Sequence, residues 1–299
     1  MARRTAGKKS TRTPESAEDV LRELLAQQFA VVVKREQQAV KGSGEALHDI
    51  RVALRRIRSL ASTFSGLDEK FLDSLDERIS KVCDRMGAAR DLDVWIELFR
   101  SMIQAGGLKK IALRDRRAVL VTLRRERTHL AVDALACGMF QRVKKMLRDY
   151  LRSRRPARRK ALPSTEAFVA RRMLAVRKLI EVRHERVGNF SQGAAHNLRR
   201  AGRRMRYLSE FFGPRFGSSG VRTGQWITRA QAALGKVHDC DSALEFSKDL
   251  PSSAARAAVR KALKKRRAVQ LRKFKTAWRH YANRRLQKTW QTRLEAAAE

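Results

Sequence analysis

HDIRVALRRIRSLASTF, residues 48–64, reads as one helix with a histidine at its head and four arginines behind it. At 100° per residue, His48, Arg51, Arg55 and Arg58 share an arc of about 80°. Ile50, Ala53, Leu54, Ile57, Leu60 and Phe64 occupy the opposite side. A second stretch, HNLRRAGRRMRYLSEFF at residues 196–212, has the same organisation. His196, Arg199, Arg203 and Arg206 share one face, and Leu198, Ala201, Met205, Leu208 and Phe212 share the other, with Tyr207 beside the basic face.

The two stretches align at an offset of 148 residues with eight identities in seventeen positions. The same offset carries on without a gap. MGAARDLDVWIEL from Met86 aligns with LGKVHDCDSALEF from Leu234, pairing Gly87 with Gly235, Asp91 with Asp239, Asp93 with Asp241 and Lys81 with Arg229. One register held over this distance indicates a tandem duplication.

Alternating strand patterns are nearly absent, and glycine and proline fall in groups that mark helix ends. Ser16 and Ser164 look like helix starts. The expected fold is therefore all-α: two four-helix bundles related by internal duplication. The expected boundaries are a disordered basic arm at 1–15, repeats at 16–151 and 164–284, a basic linker at 152–163 and a tail at 285–299, with 16–284 as one domain.

A chain of 299 residues with 43% hydrophobic content can bury a core, but 68 Lys and Arg against 30 Asp and Glu give a net charge of +38. Self-repulsion on this scale calls for a polyanionic partner: nucleic acid, an anionic membrane or inorganic polyphosphate. No apolar run approaches the roughly 20 residues of a membrane span. The basic N-terminus lacks the apolar middle of a signal peptide. Cys83, Cys137 and Cys240 are scattered, as in a reducing compartment. These features point to a cytoplasmic protein without a membrane partner. The arm reads equally as a solubilising tail or as an extra grip on a polyanion.

Arginine is the informative choice in the repeated helix. A solvated helix face mixes charge signs, whereas this one sets like charges at i,i+4, a local cost that a bound anion offsets. A guanidinium grips phosphate oxygens through two hydrogen bonds and stays charged at any physiological pH. The expected ligand set is His48, Arg51, Arg55, Arg56, Arg58, Lys81, His196, Arg199, Arg203, Arg204, Arg206, Tyr207 and Arg229. The histidines read as phosphate ligands that gain charge near pH 6.5, with core-facing helix starters as the alternative. Asp91 with Asp93, and Asp239 with Asp241, point about 200° apart on a helix and cannot chelate one metal there. They read as helix caps or as partners that orient arginines, with Gly87 and Gly235 ending the preceding helix. No metal or cofactor is expected.

These motifs, in this order and duplicated, resemble the CHAD domain, the conserved histidine α-helical domain, over about residues 16–284. The resemblance implies two four-helix bundles about a pseudo-twofold axis, with a basic groove or pore between them that binds inorganic polyphosphate. It also implies a stand-alone protein on bacterial polyphosphate granules, since the ExExK signature of an associated triphosphate-tunnel domain is missing from the sequence. Asn197 in place of Asp49, His238 in place of Arg90, and Gly202 inside the second helix depart from the first copy. Gly202 is expected to allow close helix packing.

The expected function is polyphosphate binding without catalysis. A nucleic-acid-binding or nucleoid-associated protein is the alternative, with DNA as a secondary partner through the arm and LKKRRAVQLRKFK at 263–275. Hydrolysis ranks third, because the basic row carries no clustered acids to hold Mg²⁺. Oligomeric state is not legible.

Overall fold

The computed structural model describes residues 16–104, 106, 112–153, 163–188, 190–250 and 253–299. The expected arm and most of the expected linker lie outside them. The described residues form ten α-helices and three 3₁₀ segments, with no strand among them. The first half comprises α1 (Ala17–Val40), α2 (Gly44–Thr63), α3 (Glu69–Gln104), α4 (Leu113–Ala136) and α5 (Gly138–Arg152). The second comprises α6 (Thr165–Glu185), α7 (Gln192–Phe212), α8 (Gly217–Phe246), α9 (Ser253–Tyr281) and α10 (Arg284–Ala298).

Serine side chains fix the entries. Ser16, Ser43, Ser164 and Ser191 each accept a hydrogen bond from the backbone N–H three residues on, at 3.1–3.5 Å. Each such cap contributes about 1 kcal/mol. The first three helices of each half start 148 residues apart, at 17 and 165, 44 and 192, and 69 and 217.

Each half carries five helices where four were expected. The basic stretch from Leu113 breaks at Cys137, whose ψ of 136° is extended, and restarts at Gly138. The segment expected as a tail is helix α10. Asn283 caps it by accepting from the Leu286 N–H at 3.0 Å, and Trp290 and Leu294 are buried.

The apolar faces expected on α2 and α7 are buried as read: Ile50, Leu54, Ile57 and Phe64 on one, Leu198, Met205, Leu208 and Phe212 on the other. Phe64 meets Phe212 edge-on at 6.0 Å and Phe168 of α6 at 5.8 Å, so one core spans both halves. A smaller core at the far ends joins Trp95, Phe99 and Met102 of α3 to Val259 and Leu263 of α9. No helix of the described residues is long and apolar enough to cross a membrane.

Gly87 and Gly235 do not end helices. They sit in the middle of the 36-residue α3 and the 30-residue α8. Asp91, Asp93, Asp239 and Asp241 lie further along the same helices, so none is an N-cap. Helix packing over such lengths outweighs the ~1 kcal/mol that one glycine costs. Gly202 permits no special approach either. A β-carbon there would rest 3.8 Å from Ile227 Cδ1, an ordinary contact. The tight approach to backbone is at Gly220, where a β-carbon would fall 2.3 Å from the Gly213 carbonyl oxygen.

Candidate functional site

α2 packs against α7, and α3 packs against α8. This arrangement brings the two arginine rows into one field. Arg55 of α2 opposes the charges of Arg199 and Arg203 on α7, and Asp91 of α3 faces Arg51, Arg199 and Arg55. The central cluster is Arg51, Arg55, Arg90, Arg199 and Arg203 with His48, His196 and His238. Asp91 and Asp239 answer the arginines from within the cluster, while Asp49 acts on His48 and Asp93 lies 4.0 Å from Arg90 at its edge.

The deepest members are equivalent by sequence offset. Arg51 is 5% exposed, and its Nη1 donates to the Cys83 carbonyl at 2.6 Å. Arg199 lies half-buried on the facing helix. In both, Nε is buried and has no acceptor. Arg55 and Arg203 make no ion pair among the described residues. Buried donors without acceptors are rare in native proteins and mark places where a further group belongs.

Burial and like charge dominate the electrostatics. Burial first, then Arg55, pulls Arg51 down to about 10. Burial, Arg55 and Arg199 pull Arg203 down to about 9. Both stay cationic at neutral pH, at a cost in free energy. His238 is drawn down to about 4 by burial and then by Arg199, and its ring centroid lies 5.3 Å from that of His196. His48 and His196 are also lowered, by desolvation and then by Arg90 and Arg199 respectively. The three rings are therefore neutral at pH 7 until an anion offsets the arginines. Asp91 and Asp239 are shifted upward, because desolvation outweighs the attraction of the neighbouring arginines.

At one end the row opens into a cavity of about 110 Å³ between α2, α6 and α7. Arg55, Arg58, Arg172, Arg200, Arg203 and Arg204 line it with Ser59, Ser62 and Tyr207. Tyr207 is buried, and the Arg206 guanidinium lies 4.9 Å above its ring. Arg58 is held by Asp76 through bonds of 2.8 and 3.2 Å. Arg172 reaches the Ser62 hydroxyl.

Other expected ligands are engaged elsewhere. Arg56 bonds Glu210 of α7 at 2.7 Å, a bridge between halves, and Arg206 meets the same carboxylate at 3.2 Å and Gln231 at 2.9 Å. Lys81 pairs with Glu77 on the exposed side of α3, and Arg229 stacks on Trp226 at 4.5 Å, away from the row. Neither lines the cavity. Arg90 and His238 lie in the central cluster, and Arg200 and Arg172 line the cavity, although none of the four was expected. The first two stand at matching offsets one residue before Asp91 and Asp239, so sequence carried a signal for them, and Arg200 stands about 40° outside the His196 arc. Arg172 comes from α6, and only packing reveals it.

The second aspartate of each pair has a structural task. Asp93 takes Arg127 of α4 at 2.8 Å, and Arg127 also donates to the Gly42 carbonyl at 2.9 Å, just before α2. Asp241 takes Arg267 of α9 at 2.7 Å, and Arg267 donates to the Phe190 carbonyl at 2.9 Å, just before α7. Each clamp fixes where a histidine helix begins. Among the described residues no three His, Cys, Asp or Glu side chains converge as metal ligands would.

The chain matches no curated protein. It is similar to the crystal structure of the CHAD domain from the plant Ricinus communis, at 22% identity and a TM-score of 0.63, over 99% of this chain and 97% of that one. It is also similar to PptA from Streptomyces chartreusis, at 17% identity and a TM-score of 0.59, over 93% and 100% of the two chains. The CHAD domain family model matches residues 23–248, which take in α2, α3, α7 and α8 and hence the whole arginine cluster. The chain belongs to the CHAD domain family.

Proposed function

We propose that the protein binds inorganic polyphosphate along the facing arginine rows of α2 and α7, without hydrolysing it, and through that affinity associates with polyphosphate granules in the cytoplasm. The observation that carries this reading is the set of buried, unpartnered guanidinium donors at Arg51 and Arg199, with Arg55 and Arg203 unpaired beside them. A row from His48 to Arg58 rises roughly 15 Å. It offers planar, two-pronged donors at one-turn intervals, which suits a linear string of phosphates. Membership of a family associated with polyphosphate supports the same ligand. Asp91 and Asp239 feel the neighbouring arginines, and Asp76 and Glu210 are bonded to Arg58 and Arg206, so the carboxylates beside the row are turned to arginines.

The test is calorimetric titration of long-chain polyphosphate into the wild type and Arg55→Gln/Arg203→Gln, with double-stranded DNA as competitor at matched phosphate. Loss of two charged contacts at about 1.5–3 kcal/mol each is expected to weaken binding more than 100-fold. An unchanged affinity refutes the row as the site. Shortening of the polymer on a gel, abolished in His48→Ala, refutes binding without turnover.

A further inference from the structure

α9 carries eleven Lys and Arg and no Asp or Glu in its 29 residues. Three of those cations serve the fold: Arg256 donates to the Leu250 carbonyl, Arg266 to Ser101 and Arg267 to Asp241. The other eight, between Arg260 and Arg279, are exposed and form no ion pair among the described residues. Lys261, Lys264, Lys265, Arg272, Lys275 and Arg279 crowd the side of the helix opposite buried Val259, Leu263, Phe274 and Ala277. The segment lies beyond the residues that the family model matches, and the central cluster uses none of it.

We infer that the outer face of α9 is a second, separate polyanion surface that docks the backbone of a nucleic-acid duplex without reading its sequence. Four features favour that partner. The face is convex and lysine-rich, which suits diffuse attraction, where the central row is recessed and arginine-lined. It extends for roughly 30 Å, close to one turn of a duplex, and an α-helix of 10–12 Å diameter fits a major groove about 12 Å wide. A groove of about 510 Å³ runs beside the helix, where Arg229 and Lys236 of α8 stand with Arg272 and Lys273. Flanking phosphate strands thus meet further cations. Finally, the aromatic rings nearby are committed. Phe274 is buried, Trp278 stacks on His184 at 3.9 Å and Trp226 on His280 at 4.1 Å. No free ring remains among them to stack unpaired bases, so a duplex is favoured over a single strand. Gln270 of this helix is buried, and exposed Lys and Arg suit phosphate contacts that position a duplex without reading its bases.

The experiment compares full-length wild type with Lys261→Gln/Lys264→Gln/Lys265→Gln/Arg272→Gln and with Arg55→Gln/Arg203→Gln. Anisotropy is read with a labelled 20-base-pair duplex of scrambled sequence, the matching single strand, and long-chain polyphosphate, over a salt series. The α9 variant is expected to lose about tenfold or more in duplex affinity and about 3–4 in the slope of log K against log salt. Its polyphosphate affinity is expected to stay within about twofold, a discount for long-range attraction only. The row variant is expected to keep the duplex. The inference is overturned if wild type does not bind the duplex, if it binds the single strand as tightly, if the α9 variant keeps full duplex affinity, or if both variants weaken both ligands alike. Failure of the row variant to lose polyphosphate counts against the proposed function alone.

Discussion

Arg203→Met separates a binding role from a structural one. Arg203 sits half-buried among Arg55, Arg199 and Arg206 and has no ion pair among the described residues. Its fall from an ordinary guanidinium value to about 9 corresponds to roughly 5 kcal/mol, at 1.36 kcal/mol per decade, of resistance to carrying charge in that place. That figure is an upper bound, since a long side chain leans toward water and real interiors screen better than dry protein. Methionine keeps most of the aliphatic stem and removes the charge. The free protein is therefore expected to gain about 1–2 kcal/mol, less at high salt. Urea unfolding reads this as a raised midpoint at unchanged slope. Saturating polyphosphate should raise the wild-type midpoint strongly and the variant's much less, because ligand stabilisation follows affinity. Arg127→Met should move the other way. It strips a partner from largely buried Asp93 and is expected to destabilise by about 3 kcal/mol. If Arg203→Met unfolds more easily than wild type and binds polyphosphate equally well, Arg203 is a strut of the fold and the reasoning fails.

Gly202→Ala is expected to stabilise the fold by about 0.5–1 kcal/mol in the same assay, since the new methyl meets only ordinary contacts and the helix loses its most flexible residue. Two pH trends should oppose each other. Bound phosphate raises the His48, His196 and His238 values, so affinity climbs as pH falls below about 6.5. The free fold loses stability over the same interval, toward about 4 for His238, because the unfolded chain takes up protons that the folded one refuses. Titrations and urea midpoints at pH 7.5 and 5 check both, and a His196→Gln/His238→Gln variant that keeps the full response excludes these two rings. Trp290→Ala should cost about 3–5 kcal/mol by thermal unfolding. A loss under 1 kcal/mol would mean that α10 is dispensable to the core.

The polar and apolar sides of α2 and α7 were legible because a 3.6-residue period sorts them without tertiary knowledge. The serine starts at Ser16 and Ser164 were legible because their chemistry is local. Gly87 and Gly235 misled for the same reason: glycine is a local stop signal, and the packing that overrides it spans whole helices. α10 was missed because Trp290 and Leu294 are two anchors in a short polar stretch, too few to display a period. Within the site, the arginine rows followed from the wheel. Their meeting depends on how α2 lies against α7, which no single helix encodes. Arg172 and the diversion of Arg56 to Glu210 depend on that same contact.

The clamps that hold the two histidine helices have one irregular spacing. Asp93 and Asp241 are 148 residues apart, as are Gly42 and Phe190, but Arg127 and Arg267 are separated by 140. The connection from aspartate to arginine thus differs by eight residues between halves, six of them in the longer C-terminal end of α3, yet a guanidinium arrives at the same carboxylate and the same kind of carbonyl in both. Length changes in that connection are tolerated as long as one arginine on the following helix lands within reach. A gap-free comparison of this chain with itself loses the thread where α8 ends six residues sooner than α3, whereas a search for the bonded trio of aspartate, arginine and carbonyl follows the correspondence past that point.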